Sequence, residues 1–133
     1  PNIQKYMDDT IHFAQEHGYV QTLMGRKRWL KDINSANFTV RAFAERNAIN
    51  SPIQGSAADM IKLAMIKIHA EFSKHNFKSK MLLQVHDELV FDAHKIEIIK
   101  PIILNCMQTA LALPNDVPTD AELGMGDSWL EAH

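Results

Sequence analysis

The chain contains 133 residues, of which 46% are hydrophobic and 23% are charged, a balance that is typical of a globular protein and not of a disordered one. No apolar run approaches the roughly 18 residues that a membrane-spanning helix requires, and the first residues lack the pattern of a signal peptide. We therefore expect one domain, no association with membranes and a cytoplasmic location. Cys106 is the single cysteine, which excludes an internal disulfide and a multi-cysteine zinc site.

The distribution of charge is more informative than its total. The formal net charge is -2, which by itself argues against binding to nucleic acid. However, a group of basic residues falls between positions 26 and 46, while acidic residues concentrate near the end of the chain. This asymmetry permits a basic face on an acidic protein. The basic group consists of Arg26, Lys27, Arg28, Lys31, Arg41 and Arg46.

The first third of the chain predicts a helix followed by a hairpin. Apolar residues recur at spacings of three and four over positions 3–17, which is the pattern of an amphipathic helix, and Gly18 is expected to end it. Residues that favour strands then flank Met24 and Gly25, where a glycine allows the positive φ of a turn. We predict a short hairpin that presents Arg26 and Arg28.

The central part of the chain predicts two helices. Alanines and spaced apolar residues indicate a helix over positions 37–50 and a longer one over positions 53–75. Pro52 is expected to separate them, because proline lacks the backbone N–H that a helix interior uses.

The stretch SKMLLQVHDELVFDA predicts a second hairpin, since two β-rich runs flank a polar centre at His86 and Asp87. A two-residue turn there would pair Val85 with Glu88, Leu83 with Val90, and Leu82 with Phe91. A helix over 95–113 and a last strand over 119–123 are expected to follow. The predicted fold class is therefore α+β.

Asp87 is the strongest candidate for a metal ligand. A strand-turn-strand with two acids at its tip suits Mg²⁺, which takes oxygen ligands and is often held by one or two carboxylates together with substrate phosphates. The triplet His-Asp-Glu is also compatible with a solvated turn, since aspartate is common in turns. A third interpretation, the His-Asp pair of metal-dependent phosphohydrolases, is disfavoured by the β-rich flanks and by the lack of histidines spaced four apart on a helix.

A second candidate site is a polar face around Pro52. Arg46, Asn50 and Gln54 recur every four residues, so in a continuous helix they would share one face and could point hydrogen-bond donors into a nucleic-acid minor groove. The alternative is a helix boundary, with Asn50 and Ser51 acting as caps. The basic hairpin is likewise compatible with phosphate binding and with a solvated turn.

The order of three segments carries a resemblance to a known family. GYVQTLMGRKRWL, AERNAINSPIQGSAADMIKLAM and LLQVHDELVFD together closely resemble the carboxy-terminal portion of family A DNA polymerases, the bacterial DNA polymerase I type. The similarity extends from about position 18 to position 129.

This resemblance implies a partial polymerase palm in which a catalytic β-hairpin is packed by helices, with residues 1–133 forming the carboxy-terminal palm and adjoining fingers residues. The parent protein would be a DNA-directed DNA polymerase that adds deoxynucleotides to a primer 3′ end by two-metal phosphoryl transfer with Mg²⁺. Asp87 would be one of the two metal-binding aspartates, Glu88 would support it, and His86 would contact the primer terminus.

The resemblance also implies a surface for primer-template DNA, with deoxynucleoside triphosphates as the second partner. Arg46, Asn50 and Gln54 would lie against the duplex, where minor-groove acceptors are nearly alike for all base pairs. We assign three further basic residues to DNA binding: Arg26, Arg28 and Arg41.

The family's other palm motif, which supplies the first metal-binding aspartate, has no counterpart in this sequence, and neither has the fingers helix that grips the incoming nucleotide. We therefore expect the isolated fragment to be inactive. The alternative is a non-catalytic interaction or self-associating module derived from a polymerase palm. Unpaired sheet edges favour a homodimer of the fragment in that case.

Overall fold

The computed structural model describes residues 2–133, which fold into helices and two small antiparallel sheets and so confirm the predicted α+β class. The chain divides into two compact units, one ending at Asp59 and the other beginning at Met60. In chain order the elements are α1 (Asn2–His17), β1 (Tyr19–Gln21), β2 (Lys27–Trp29), α2 (Phe38–Lys74), β3 (Lys80–Val85), β4 (Glu88–Asp92), α3 (Ile96–Gln108), a 3₁₀ turn (Pro114–Asp116) and α4 (Trp129–Ala132).

The first unit contains the predicted helix and hairpin. α1 ends at His17, one residue before Gly18 as expected, and β1 pairs with β2 so that Val20 lies opposite Arg28. Gly25 has a φ of 80°, in the left-handed region that glycine adopts at no steric cost, so the turn forms where it was predicted. A small apolar core holds these elements together: Ala14, Val20, Leu30, Ile33, Ala44 and Ala48.

The second unit is organised around a separate apolar core. Ile68 and Phe72 from the second half of α2 pack against the buried side of α3. Leu89 and Phe91 from β4 pack on the same cluster, which fixes one face of the β3–β4 hairpin. The buried members from α3 are Ile99, Ile103 and Cys106. Burial raises the pKa of the Cys106 thiol, so that it stays protonated and behaves as a small apolar side chain.

The prediction of two helices separated by Pro52 is wrong. α2 runs without a break from Phe38 to Lys74 and contains Pro52 in its interior. A proline there removes one backbone hydrogen bond and costs about 3 kcal/mol. Contacts on both sides offset this cost: Ala44 and Ala48 are buried before the proline, and the Ser56 hydroxyl donates a hydrogen bond to the Pro52 carbonyl at 2.6 Å.

The second hairpin forms as predicted, with one difference in register. Val85 pairs with Glu88 and Leu83 pairs with Val90, but Phe91 pairs with Met81 instead of Leu82. The ladder is irregular between Met81 and Leu83, as expected for a β-bulge, in which one strand carries an extra residue.

The last third of the chain departs most from the predictions. α3 ends at Gln108, short of the predicted residue 113, and the next residue, Thr109, donates its hydroxyl to the Asn105 carbonyl at 2.6 Å. The strand predicted over 119–123 is wrong, because residues 117–126 lie outside helices and strands. Leu123 nevertheless packs on the second core, so its apolar character reflects burial and not strand pairing. The short helix α4 was not predicted.

No helix within residues 2–133 is both long enough and apolar enough to cross a membrane.

Candidate carboxylate turn and nucleic-acid interface

The β3–β4 hairpin, called here the carboxylate hairpin, carries Asp87 in its turn. His86 and Asp87 are the two residues between the strands, and both are exposed. His86 has a φ of 55°, which is uncommon for a residue with a Cβ and shows that the turn is held by the strands on both sides. The Gln84 side-chain amide donates to the His86 carbonyl at 3.0 Å. Asp87 is therefore presented to solvent on a defined turn.

Glu88 is in a different environment from its neighbour. It is the first residue of β4 and is half-buried, and its Oε1 atom lies 2.9 Å from Nδ1 of His133. His133 follows α4, whose first turn is closed by Ser128: the Ser128 hydroxyl accepts a hydrogen bond from the Glu131 backbone N–H. The Glu88 carboxylate thus has a partner within the protein, whereas Asp87 faces solvent.

The open end of the carboxylate hairpin is closed by Ser79. This residue is only 4% exposed, and its hydroxyl both donates to the His94 carbonyl at 3.0 Å and accepts from the His94 backbone N–H at 2.9 Å. A buried hydroxyl that uses both its donor and its acceptor in this way holds the chain on either side of the hairpin at a fixed separation. The turn at the other end is therefore carried by a rigid element.

The residues at the turn fit one part of a divalent cation site. No three His, Cys, Asp or Glu side chains among residues 2–133 are grouped so that they could hold a metal ion by themselves. A magnesium ion needs only one or two protein carboxylates when phosphates and water complete its shell. An exposed Asp87 can supply one of these.

The three residues predicted to share a helix face lie on one uninterrupted helix. Arg46, Asn50 and Gln54 are all exposed, and because α2 continues through Pro52 their spacing of four places them within one side of it. This set is called the duplex face below. The Arg46 guanidinium lies 5.9 Å from the centre of the Phe43 ring, a distance at which a cation and an aromatic ring attract each other.

The β1–β2 hairpin, called the basic hairpin, forms a shallow concavity of about 390 Å³ with α2. Gln54 of the duplex face contributes to its wall, which brings this residue together with two of the predicted DNA-binding arginines. Lys27 Nζ lies 4.3 Å from the centre of the Tyr19 ring, and Arg28 is exposed. The lining residues are Thr22, Arg26, Lys27, Arg28, Ser51, Gln54 and Gly55.

Two of the predicted DNA-binding arginines are engaged within the first unit. Arg26 Nε donates to Asp59 at 2.6 Å, and its Nη2 donates to the Gly55 carbonyl at 3.1 Å. Arg41 Nη1 donates to the Ser35 carbonyl at 2.8 Å, and its Nε lies 3.8 Å from Glu45. Their charges are therefore partly committed to the protein itself.

Sequence reasoning missed Asp59. Its side chain is 9% exposed and bridges the basic hairpin to α2. The pairing partner Arg26 is 33 positions away, and no spacing rule connects residues on a hairpin tip with residues on a helix that follows later in the chain. The helical pattern gave no signal either, because at about 100° per residue Asp59 lies on the side of the predicted helix opposite to Ile68 and Phe72.

Gly55 allows the basic hairpin to approach α2 closely. A Cβ atom added at this position would lie 2.5 Å from Cγ2 of Thr22. Ser56, the next residue, accepts a hydrogen bond from the Leu23 backbone N–H at 2.9 Å. The lack of a side chain at Gly55 and the hydroxyl group of Ser56 thus determine where the hairpin packs on α2.

The predicted site residues fall into the two units. His86, Asp87 and Glu88 lie in the unit that begins at Met60, and each unit presents its own surface. The predicted DNA-binding residues of the first unit are Arg26, Arg28, Arg41, Arg46, Asn50 and Gln54.

The chain is similar to known proteins over nearly its whole length. Residues 1–131 match the model of DNA polymerase family A. The chain is 48% identical over 133 residues to DNA polymerase I of Caldicellulosiruptor bescii, and 48% identical over 132 residues to DNA polymerase I of Bacillus subtilis. Each alignment covers 98% of this chain and 15% of the relative.

A solved structure is similar as well. The polymerase domain of Pol1 from M. smegmatis, in complex with DNA primer-template and dNTP, superposes with a TM-score of 0.92 at 40% identity, over 97% of this chain and 23% of that chain. The chain described here belongs to DNA polymerase family A. It spans about 15% of the length of the curated relatives that it matches.

The close approach at Gly55 predicts a destabilising Gly55→Ala substitution. We expect the free energy of unfolding of the 133-residue chain to fall by about 1–3 kcal/mol, because the added methyl group would overlap Thr22. Helix propensity alone would instead raise it by about 1 kcal/mol, so the sign of the change reports the contact. Urea denaturation followed by circular dichroism measures the effect.

The matched second variant is Thr22→Ser, which removes Cγ2 and keeps the hydroxyl group. Combined with Gly55→Ala, it should restore most of the lost stability. If Gly55→Ala raised the stability of the chain that retains Thr22, the close approach would be disproved.

Proposed function

We propose that this chain is the carboxy-terminal part of the polymerase domain of a DNA-directed DNA polymerase, comprising palm residues with adjoining fingers residues. The complete protein would add deoxynucleotides to the 3′ end of a primer and release pyrophosphate. The observation that carries the proposal is the exposed Asp87 carboxylate on a rigid β-hairpin turn, in a chain that belongs to DNA polymerase family A.

Asp87 is proposed to hold a divalent cation, with Mg²⁺ as the expected ion. When bound, such an ion neutralises negative charge on phosphate oxygens and orients them for displacement. The second carboxylate that this chemistry needs would come from outside this chain. Glu88 would keep the turn in place through its contact with His133, and the exposed His86 would face the primer terminus.

The duplex face is proposed to bind the primer-template duplex. The side chains of Arg46, Asn50 and Gln54 can all donate hydrogen bonds, and the minor groove presents acceptors at similar positions for every base pair. Such contacts would position the primer without reading its sequence. The exposed Arg28 and Lys27 near Gln54 are suited to neighbouring phosphates, while the paired Arg26 and Arg41 would contribute less charge.

Asp87→Asn in the complete polymerase should lower kcat by about 100-fold or more, because the amide no longer supplies the charge that holds the cation. The dissociation constant for the primer-template duplex should change by less than about threefold, since the turn keeps its shape. Single-turnover primer extension and a duplex binding assay measure the two quantities.

The matched control is Asp92→Asn, the same change at the exposed end of β4 in the same hairpin. It should leave kcat within about twofold of the unmodified enzyme. An Asp87→Asn enzyme with undiminished kcat would refute the assignment of Asp87.

Gln54→Ala should weaken binding of the primer-template duplex by about fivefold, the value of one lost hydrogen bond. The loss should be equal for duplexes ending in A·T and in G·C pairs, because the minor-groove acceptors are alike. Gln108→Ala, the same change at the exposed end of α3, serves as the control and should bind normally. Unchanged affinity for Gln54→Ala, or a loss confined to one base pair, would remove this residue from the proposed face.

The 133-residue chain on its own should not extend a primer, since it contributes one metal-binding carboxylate.

A second candidate function is a self-associating module, which is favoured by the outer edges of the two-stranded sheets. Primer extension with Mg²⁺ and sedimentation velocity over a range of concentrations distinguish the two. Extension by the isolated chain would contradict the proposal, and a stable dimer without DNA binding by the complete protein would favour the module.

A further inference from the structure

A group of polar side chains connects the basic hairpin to α2. It consists of Thr22 and Arg26 on the hairpin side and of Ser56 and Asp59 on the helix side, and is called the latch here. Ser56 is 8% exposed and Asp59 is 7% exposed, so the helix side of the latch is buried.

The hydrogen bonds of the latch form a connected set. Thr22 Oγ1 donates to Asp59 Oδ2 at 2.7 Å, and Arg26 Nε donates to Asp59 Oδ1 at 2.6 Å, so both carboxylate oxygens bind the hairpin. Ser56 accepts from the Leu23 backbone N–H at 2.9 Å. The turn of the hairpin is therefore held on α2 at three residues: Thr22, Leu23 and Arg26.

The charges of the hairpin are positioned by the same contacts. Lys27 and Arg28 directly follow Arg26 in the chain and line the concavity that also contains Gln54. Because Arg26 is anchored on both Asp59 and the Gly55 carbonyl, the two following side chains start from a fixed backbone position. Val20 anchors strand β1 in the first apolar core, whereas the residues of the turn are held on α2 by the latch.

We propose that Asp59 is a positioning residue: its buried carboxylate holds the basic hairpin against α2, so that Lys27 and Arg28 are placed for phosphates of the duplex bound by Gln54. This inference rests on the proposed function. It concerns a residue that does not itself touch DNA.

The direction of the change in duplex affinity distinguishes a positioning role of Asp59 from a direct electrostatic effect of its charge. Asp59 carries a negative charge close to the basic hairpin, so removing that charge should strengthen the attraction of a polyanion if the hairpin stays in place. If Asp59 positions the hairpin, its removal should instead weaken binding. The two mechanisms predict changes in opposite directions.

The experiment compares Asp59→Asn with Asp32→Asn in the complete polymerase, using a primer-template duplex as the probe. Asp32 is an exposed acid in the same unit, so it controls for the loss of one negative charge. We expect Asp59→Asn to raise the dissociation constant about five- to tenfold. Asp32→Asn should leave it unchanged or lower it slightly. Unchanged or tighter binding by Asp59→Asn would overturn the inference.

The salt dependence of binding provides a readout that a general loss of stability would not move. If Lys27 and Arg28 lose their placement, the slope of log Kd against log salt concentration should decrease by about one to two. kcat at saturating duplex should stay close to that of the unmodified enzyme. A weaker Kd with an unchanged slope would assign Asp59 to stability alone and overturn its positioning role.

Two further variants extend the test, and the first of them keeps it decisive if Asp59→Asn folds poorly. Thr22→Val removes one donor to Asp59 without changing the shape of the side chain, and should weaken duplex binding about two- to threefold with the same decrease in slope. Arg26→Gln combined with Asp59→Asn should lose less affinity than the sum of the two single losses, because the two residues share one contact. Additive losses, or no loss for Thr22→Val, would overturn the inference.

Failure of the proposed function is recognised separately. If the unmodified complete protein bound no primer-template duplex, the proposed function would fall, and this inference with it. If it bound and extended primers normally while Asp59→Asn behaved like Asp32→Asn, only the inference would fall.

Discussion

The continuity of α2 through Pro52 is the constraint on which the described surfaces depend. This one helix contributes Ala44 and Ala48 to the first core and Ile68 and Phe72 to the second. A break at the proline would place Arg46 and Asn50 on a different helix axis from Gln54. The missing hydrogen bond is a local cost, whereas the apolar contacts on both sides extend over many residues. Packing therefore outweighs the local preference, and the duplex face exists as a single face because of it.

Local patterns were sufficient for elements whose partners are close in the chain. The positions and turns of both hairpins were predicted correctly, because the residues that pair lie within about a dozen positions and alternate around a short turn. The bulge near Leu82 could not be predicted, since it depends on which of Met81 and Leu82 faces the core that Phe91 joins. The strand expected over 119–123 failed for a related reason: a segment forms a strand only where another strand is available to pair with it.

The distinction between partners that are close in the chain and partners that are far apart also applies to the candidate site. The triplet at 86–88 was located from sequence because turn residues and flanking strands are adjacent, and the structure places Asp87 in an exposed turn as expected. By contrast, the contact of Glu88 with His133 joins residues far apart in the chain, and that of Arg26 with Asp59 spans 33 positions. Spacing rules do not reach such pairs. They also gave no warning that two of the predicted DNA-binding arginines would be partly occupied by internal partners.

The contrast between Asp87 and Asp59 shows how environment, not residue type, decides what a carboxylate can do. Asp59 is buried, and both of its oxygens accept hydrogen bonds from the basic hairpin, so an incoming cation would have to displace partners already in place. Displacing these partners would also remove the hydrogen bonds that place Thr22 and Arg26. Asp87 is exposed on a turn whose shape is set by the strands and by Ser79. A cation could therefore reach Asp87 without displacing a partner, and the proposed roles of Asp87 in cation binding and of Asp59 in positioning rest on this difference.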